Sequence, residues 1–342
     1  MKRRRIKKWI IILFIILDIG AVSCLLLAYG PNKKFKNFLI TTAMSTMNHK
    51  YLARTIYTEK TINNVLKENK LEEIDEEIDV DAIEIGTYKT KNYESKEEEQ
   101  ILKKDKNNEL YKIIKEEKKD KTYYIAVIYD PSRISLEEAE NKGVVGQTIK
   151  EIANSNNAYL AINASGFVDT GGNGNGASAT GVVIKDSKVV WNGKPNRWGG
   201  GLIGFNKDHK LVLTKESASK AIEKGLVDAV TFGPFLMING EEAKVFGNGG
   251  SGVHPRTIIA QRQDGIVLFI VIDGNGNKTG YRGGADYKEM IELLKKYKAY
   301  NAANLDGGAS SILIEKNKIV NNPVGYGATG ERRHPNAWVL KW

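Results

Sequence analysis

The run Ile266-Val267-Leu268-Phe269-Ile270-Val271-Ile272 is apolar at every position and ends in Asp273-Gly274. Strands covered on both faces have continuous apolar runs, whereas strands with one solvated face alternate between apolar and polar residues. We therefore expect a central, fully covered strand that presents Asp273 at its carboxyl end. The apolar run 257–260 precedes it and is joined to it across the turn sequence Asp264-Gly265.

A helix and a second strand follow this central strand. Asp286 and Glu289 have the spacing of a capping box, and apolar residues recur at helical spacing between 290 and 297. The helix leads into Asn304-Leu305-Asp306-Gly307-Gly308-Ala309-Ser310-Ser311. A strand, a crossover helix and a second strand are expected to bring the Asp-Gly pairs of both strands to the same edge of one sheet.

The segment 304–311 has two interpretations. Paired glycines allow positive φ angles and a close approach of a ligand to the backbone, so Asp306 would be presented as part of a site. Asp-Gly between apolar runs is also a strong signal for a β-hairpin turn, in which the carboxylate only orders the backbone. The residues alone leave both interpretations open.

The sequence from residue 121 to 342 has the pattern of an α+β or mixed α/β domain. A β-type run, Tyr123–Tyr129, opens it, and short apolar runs separated by turn residues follow. Ser135 and Glu138 have capping-box spacing, and residues 144–153 can form a short helix. We expect a mixed multi-stranded sheet with flanking helices.

Residues 1–29 predict a membrane anchor. Residues 10–29 are apolar except for Asp18, Gly20 and Ser23, and about 20 such residues cross a bilayer as a helix. The tail 1–9 is basic, which predicts a cytoplasmic N-terminus and an extracellular remainder. A cleaved signal peptide is the alternative, since residues 21–23 resemble a cleavage site.

Residues 30–120 predict an extracellular amphipathic and charged stalk. Phe35, Phe38, Leu39, Ala43 and Met47 recur at helical spacing. After Leu71 the chain becomes rich in Glu, Lys, Asp and Asn, which indicates a partly helical, mostly solvated linker.

Composition argues against several classes of function. The formal net charge of the 342 residues is +10, and six of those ten charges come from the basic N-terminal tail. The modest remainder gives little support to nucleic-acid binding. The single cysteine, Cys24, lies in the apolar run, so it supplies neither a disulfide framework nor a cysteine metal cluster.

A catalytic metal is not expected either, nor is any other cofactor. The four histidines are scattered, which disfavours a zinc site. Asp273, Asn275 and Asn277 mimic the start of a calcium loop. An EF-hand is excluded, however, because Lys278 occupies position six, which requires Gly, and Gly284 occupies position twelve, which requires Glu.

A set of motifs, in this order and spacing, resembles the phosphodiester glycosidase family. They are Asn163, Gly233-Pro234-Phe235, Pro255-Arg256-Thr257, Asp273-Gly274, Asn304–Gly308, and Glu331-Arg332 followed by Asn336-Ala337. The resemblance covers residues 123–342 and departs from the family pattern at Ala309, commonly Gly, and at Asn275, often Arg. It implies a hydrolase of sugar-1-phosphodiesters; bacterial members are associated with exopolysaccharide or other cell-surface glycans.

For such a reaction the resemblance implies carboxylates that stabilise a cationic sugar or activate water, and cations that hold phosphate. Asp306 and Asp273 are the carboxylate candidates, and Glu331 is a third, the candidate general base. The phosphate candidates are Arg256 with Arg332 or Arg333.

Further candidates for substrate binding are Asn163, Thr257, Asn304, Gly307, Gly308 and Ser310, with His254 as an additional acid or ligand. Each of these residues has a structural alternative, such as capping a loop or pairing internally.

Two other functions are compatible with the sequence. A non-catalytic glycan-binding or exopolysaccharide assembly protein would use the same polar edge to hold a polymer. A metal-dependent phosphodiesterase would cut the phosphate on its other side. The expected partners are therefore a glycan or sugar-phosphodiester substrate and a membrane, without nucleic acid.

Overall fold

The structure, a computed structural model, describes residues 2–46, 49–89, 91–169, 172, 174–196, 199–274, 283–325 and 330–342, with side chains from Lys8 onward except that of Leu27. The helices are α1 (Lys2–Tyr29), α2 (Lys33–Ser45), α3 (Lys50–Ile56), α4 (Glu59–Glu68), α5 (Lys96–Leu102), α6 (Ile149–Ser155), α7 (Ala218–Glu223) and α8 (Tyr287–Lys296), with single 3-10 turns at Pro131–Arg133 and Gly308–Ser310.

The strands fall into three larger sheets and two short two-stranded pairings. They are β1 (Leu71–Glu72), β2 (Tyr111–Glu117), β3 (Lys121–Ile128), β4 (Ile134–Glu138), β5 (Gln147–Thr148), β6 (Ala158–Asn163), β7 (Val182–Lys185), β8 (Lys188–Asn192), β9 (Gly201–Asn206), β10 (Leu211–Thr214), β11 (Leu226–Phe232), β12 (Phe235–Ile238), β13 (Glu241–Glu242), β14 (Lys244–Val245), β15 (Arg256–Arg262), β16 (Val267–Gly274), β17 (Ala299–Asn304), β18 (Leu313–Glu315), β19 (Lys318–Ile319), β20 (Arg333–His334) and β21 (Asn336–Lys341).

One compact unit comprises Met1–Lys70 with Val245–Gly252 and is mainly helical. Its helix α1 contains an apolar span, Lys8–Leu26, that is long enough to cross a membrane and would equally suit an N-terminal signal sequence. Helices α2 to α4 enclose a small apolar core, as their amphipathic spacing predicts. Met47, predicted to belong to the same apolar face, lies outside the described residues.

The second unit comprises Leu71–Lys244 with Val253–Trp342 and has the predicted α+β class. Its sheets have the strand orders β13-β12-β17-β15-β16-β3-β2, β10-β9-β11-β7-β8 and β19-β18-β6-β21-β4. One apolar core takes side chains from all three sheets, for example Phe269, Phe205 and Trp338. The last two pack edge to face with ring centroids 5.4 Å apart. This core fixes the strand ends that carry the candidate site.

The strand β16 has the expected central position, and all eight of its residues are buried. Strand β15 pairs antiparallel with β16 on one side and β17 on the other, with Arg256 opposite Ile272 and Ile258 opposite Asn304. Strands β16 and β17 therefore run in the same direction, and their carboxyl ends meet the start of β15 at one edge. The shared edge is confirmed, although β15 separates the two strands and the neighbouring pairs are antiparallel.

Two segments differ from their sequence interpretation. Strand β2 pairs with β3 along its full length, so the second unit begins before residue 121 and includes part of the expected stalk. The charged residues of β2 lie on an edge strand. Because edge strands often carry charged side chains, this segment has the composition of a solvated linker. Ser135 and Glu138 lie within strand β4 rather than at a helix start, because Ile134 and Leu136 alternate into the core.

The buried face of β16 makes a direct stability prediction. We expect Val271→Ala, at a fully buried position, to lower the free energy of unfolding by about 2 kcal/mol, because it leaves a cavity in the core. The matched change Val144→Ala, at a residue that is 77% exposed, should change it by less than about 0.5 kcal/mol. Urea unfolding of the full chain measures both, and equal effects would contradict the assigned core.

Candidate active site

The segment from Asn304 to Ser311 crosses between sheets and is not a hairpin. Strand β17 belongs to the seven-stranded sheet and β18 to a five-stranded sheet, with a 3-10 turn at Gly308–Ser310 between them. Gly308 has φ +63°, and its N–H donates to the Pro255 carbonyl at 2.7 Å. A Cβ at Gly307 would lie 3.0 Å from the same carbonyl oxygen. Gly308 is therefore explained by its positive φ, and Gly307 by the close approach of two backbones.

Asn163, at the end of β6, holds the site together. Its Nδ2 donates to the Asp306 carbonyl at 2.7 Å. Its Oδ1 accepts from the Thr257 hydroxyl at 2.8 Å and from the Ile312 N–H at 3.2 Å. Asn163 and Thr257 are both fully buried. These two predicted binding residues thus connect β6, β15 and the 304–312 segment, which is a structural role.

Asp306 is partly exposed as a residue, but its carboxyl group is surrounded by protein atoms. This desolvation raises its pKa from 3.8 to about 6, against the opposing effects of the nearby Ser310 hydroxyl, Arg332 and the Gly307 N–H. The Gly307 N–H donates to Asp306 Oδ1 at 3.1 Å. Because the folded pKa exceeds the unfolded value, this group favours folding most below pH 3.8, and the advantage is lost as pH rises through about 6. At neutral pH the ionised Asp306 carboxylate is therefore unfavourable for folding.

Arg332 lies beside Asp306 and pairs with Asp169, whose side chain is almost fully buried. The Arg332 guanidinium stacks over the Phe167 ring at 4.8 Å, and the same ring contacts His334 edge to face. Burial and the Arg332 charge lower the pKa of His334 to about 3, so its imidazole is neutral at physiological pH. Asp169, Phe167 and His334 thus complete a charged and aromatic wall next to Asp306.

The neighbouring Arg333 faces elsewhere. Its Nη1 donates to the Gly146 carbonyl at 2.9 Å and pairs with Glu151 at 3.2 Å, and its side chain is 44% exposed. Successive residues of an extended chain point to opposite faces, and Arg333 begins β20 directly after Arg332. The sequence left the choice between Arg332 and Arg333 open, and the structure places Arg332 beside Asp306.

Arg256 lies at the start of β15, beside Gly307, and is 7% exposed. Its Nε donates to the Ala285 carbonyl at 2.9 Å, and its guanidinium lies 5.2 Å from the centre of the Tyr287 ring. Burial lowers the pKa of Arg256.

Burial and the neighbouring Arg256 charge lower the pKa of His254 to about 3, so His254 is neutral near pH 7. In this form His254 lacks the imidazolium proton that a general acid would transfer near pH 7.

Asp273 is buried and bonded to a neighbouring loop. Its Oδ1 accepts from Asn321 Nδ2 at 2.8 Å, and its Oδ2 accepts from the Asn322 N–H. Burial raises its pKa, and these two bonds oppose that rise. Both oxygens thus have structural partners.

Glu331 is partly buried in the segment that leads to Arg332. Asn275, Asn277 and Lys278, which bear on the family departure and the calcium comparison, lie outside the described residues.

Several buried polar atoms around Asp306 have no hydrogen-bond partner among the described residues. Buried polar groups are rarely left unsatisfied, so a group of them in one place indicates where a ligand supplies the bonds. These atoms are Asn304 Oδ1, Ser311 Oγ, Arg332 Nε and His334 Nδ1.

The sequence interpretation missed Asp169, Phe167, Ser311 and the role of His334. Asp169 and Phe167 lie just before the Gly- and Asn-rich segment 170–179, of which positions 170, 171 and 173 lie outside the described residues. An acidic residue bordering such a segment was the available signal.

Within the described part of the chain no cluster of three His, Cys, Asp or Glu side chains suits a metal ion, and a metal-free reaction stays a prediction.

A separate groove of about 480 Å³ lies in the second unit, between residues 74–80 and the β10 and β12 strands. Its lining includes Ile74, Ile78, Leu213, Phe235 and Ile238. It contains neither Asp306 nor Arg332, so its size does not make it the candidate active site.

Comparison with known proteins identifies relatives for part of the chain. The model of the family described as phosphodiester glycosidase matches residues 156–341. The SPbeta prophage-derived uncharacterized protein YomE of Bacillus subtilis is 26% identical over 183 residues, which are 52% of this chain and 27% of that protein. The match thus spans about a quarter of that relative's length.

Two solved structures are similar to parts of this chain. One is the zebrafish N-acetylglucosamine-1-phosphodiester alpha-N-acetylglucosaminidase catalytic domain, auto-inhibited by its pro-peptide. It has a TM-score of 0.56 and 18% identity over 70% of this chain and 85% of that chain. The other is a protein of Burkholderia pseudomallei, with a TM-score of 0.49 and 17% identity over 65% and 74% of the two chains. At 18% identity the likeness to the zebrafish domain concerns the fold alone.

The Asn163 bonds predict a graded loss of stability. We expect Asn163→Ala to lower the free energy of unfolding by about 3 kcal/mol, because three buried groups lose their partner. Thr257→Val removes one of those bonds and should cost about 1 kcal/mol. Chemical denaturation measures both variants. Equal effects would mean that Asn163 does not join the three segments.

Proposed function

Because the chain belongs to the phosphodiester glycosidase family, we propose that it hydrolyses a sugar-1-phosphodiester by breaking the bond between the anomeric carbon and oxygen. The observation that supports this most strongly is the Asp306 carboxyl group, which has a pKa raised to about 6 and lies beside Arg332. A carboxyl group with a pKa near the working pH suits proton transfer or nucleophilic attack, and a neighbouring guanidinium suits an anionic substrate.

The chemistry of the substrate explains this combination. Cleavage at the anomeric carbon passes through an oxocarbenium-like transition state, and the leaving group is a phosphate monoester. Phosphate leaves more readily than an alkoxide, so the reaction needs less general-acid assistance and more recognition of an anion. We assign this recognition to Arg332, whose charge acts on Asp306, and to Arg256, whose side-chain stem lies beside Gly307.

The role of Asp306 follows from its charge. With a pKa of about 6, the carboxyl group is mainly ionised at pH 7, as a nucleophile or general base requires. The negative charge of the ionised form stabilises the positive charge that develops on the sugar.

Glu331 is the alternative base, and Asp273 keeps the Asn321–Asn322 loop in place. Asn304 Oδ1 offers an unpartnered oxygen to a sugar hydroxyl group, and Ser310 offers its hydroxyl group beside Asp306.

The substrate and the location are further parts of the proposal. The zebrafish neighbour is described as acting on an N-acetylglucosamine-1-phosphodiester, so a compound of this class is the first substrate to test. The apolar helix α1 would anchor the chain with its basic N-terminus in the cytoplasm. The second unit would then act outside the cell on a surface polysaccharide or a related glycan.

Two adjacent arginines provide the sharpest test of the site. The full chain should release sugar from an N-acetylglucosamine-1-phosphodiester, and Asp306→Asn should abolish release because no ionisable oxygen remains. Arg332→Ala should lower kcat/KM at least about a hundredfold, the loss of one charged contact of the transition state. Arg333→Ala should stay within about twofold of the wild type, since that side chain pairs with Glu151.

Release is measured by chromatography of the products, and circular dichroism verifies that each variant is folded. Full activity of Asp306→Asn would reject the site. Tight binding of the substrate by the wild type without turnover would reject the hydrolase and favour a glycan-binding protein.

A further inference from the structure

We propose that Asp169 is a positioning residue that acts through Arg332 to control the protonation of Asp306. The role in turnover rests on the proposed function, but the protonation of Asp306 is measurable without turnover. The inference concerns a residue outside the motifs that indicate the family.

The position of Asp169 is fixed from two sides. Its Oδ1 accepts from the Gly174 N–H at 2.9 Å, and its Oδ2 binds Arg332 Nη2. Its side chain is only 3% exposed, so water competes little for either oxygen. A carboxylate held in this way presents a fixed negative charge to one end of the guanidinium group.

The remaining surroundings of Arg332 also restrict it. Its guanidinium lies 4.8 Å from the centre of the Phe167 ring. Glycines at positions 174 and 325 leave room for it, since an added Cβ would lie 2.9 Å from Arg332 Nε and 2.8 Å from Arg332 Cγ respectively. These contacts restrict the Arg332 side chain, and its Nη2 is bound to Asp169.

The charges that face Asp306 oppose each other. Arg332 favours the ionised form of Asp306, and Asp169 disfavours it. On the segments packed nearby, His334 and His254 are neutral at physiological pH. The other titratable or charged side chains of these segments are Arg256, Asp273, Tyr287, Glu331 and Arg333.

This arrangement keeps Asp306 from a permanent ion pair. Without Asp169, the Arg332 guanidinium would be free to pair with Asp306, which would hold that carboxyl group in its ionised form. With Asp169 in place, Asp306 retains the capacity to exchange a proton near neutral pH. Arg332 Nε, which is buried and has no partner among the described residues, remains available for an oxygen of the substrate.

The protonation midpoint of Asp306 tests the inference directly. The full chain, labelled with ¹³C at aspartate carboxyl carbons, is titrated in detergent micelles by NMR, and the Asp306→Asn spectrum assigns the Asp306 signal. Asp169→Asn keeps the side-chain shape and an oxygen for Gly174 but removes the charge. We expect the Asp306 midpoint to fall by about one pH unit, the smaller end of the effect of one nearby charge.

Two control variants separate this effect from lost structure. Asp169→Glu keeps the charge and should leave the midpoint near that of the wild type. Asp264→Asn breaks another buried arginine–aspartate pair, Arg262–Asp264, whose closest atoms are 2.6 Å apart, and should not move the midpoint. If Asp169→Asn does not fold, Asp169→Ser removes the same charge and should give the same downward shift.

The pH dependence of turnover provides a second measurement. A limb of the profile that reports Asp306 should move to lower pH by the same amount in Asp169→Asn. A folded, neutral variant with an unchanged Asp306 midpoint would overturn the inference, as would an equal shift in Asp264→Asn. A shifted midpoint in a chain that turns over no sugar phosphodiester would preserve the inference and reject the proposed function.

Discussion

The buried Asn163 amide is the interaction on which the candidate site depends. It bonds to a hydroxyl of β15, to the carbonyl of Asp306 and to the N–H of Ile312. These three segments belong to different parts of the fold, and apolar contacts alone would leave their relative positions adjustable by a fraction of an ångström. Directional hydrogen bonds between buried groups remove this freedom. The backbone of Asp306 is therefore fixed before any substrate binds.

A second constraint is electrostatic. The site gathers Asp306, Asp169 and Arg332 where protein atoms replace water, so each charge affects its neighbours more strongly than at the surface. The raised pKa of Asp306 means that its ionised form opposes folding at neutral pH. Such a carboxylate is typical of functional sites, where folding stability is lower in exchange for reactivity. The stacked Phe167 and the paired Asp169 hold Arg332 close without neutralising Asp306.

Much of the fold was predictable from local patterns, and part of the site was not. The apolar run of β16 and the Asp286–Glu289 capping box correctly predicted a buried strand and helix α8, because both depend on neighbouring residues. Ser135 and Glu138 have the same capping spacing but lie in a strand, because core packing outweighs a local signal. The Asp169–Arg332 pair joins residues 163 positions apart, which no local pattern reveals. Its recognition required the three-dimensional arrangement.

The central claim is that the bond between the anomeric carbon and oxygen is the one that breaks. Hydrolysis of an N-acetylglucosamine-1-phosphodiester in ¹⁸O-labelled water tests it most directly, because water adds to the carbon or phosphorus atom that is attacked. The account predicts that the label enters the released sugar and that the phosphate monoester stays unlabelled; phosphate oxygens do not exchange with water under mild conditions. Label in the phosphate monoester would contradict the account and indicate a phosphodiesterase.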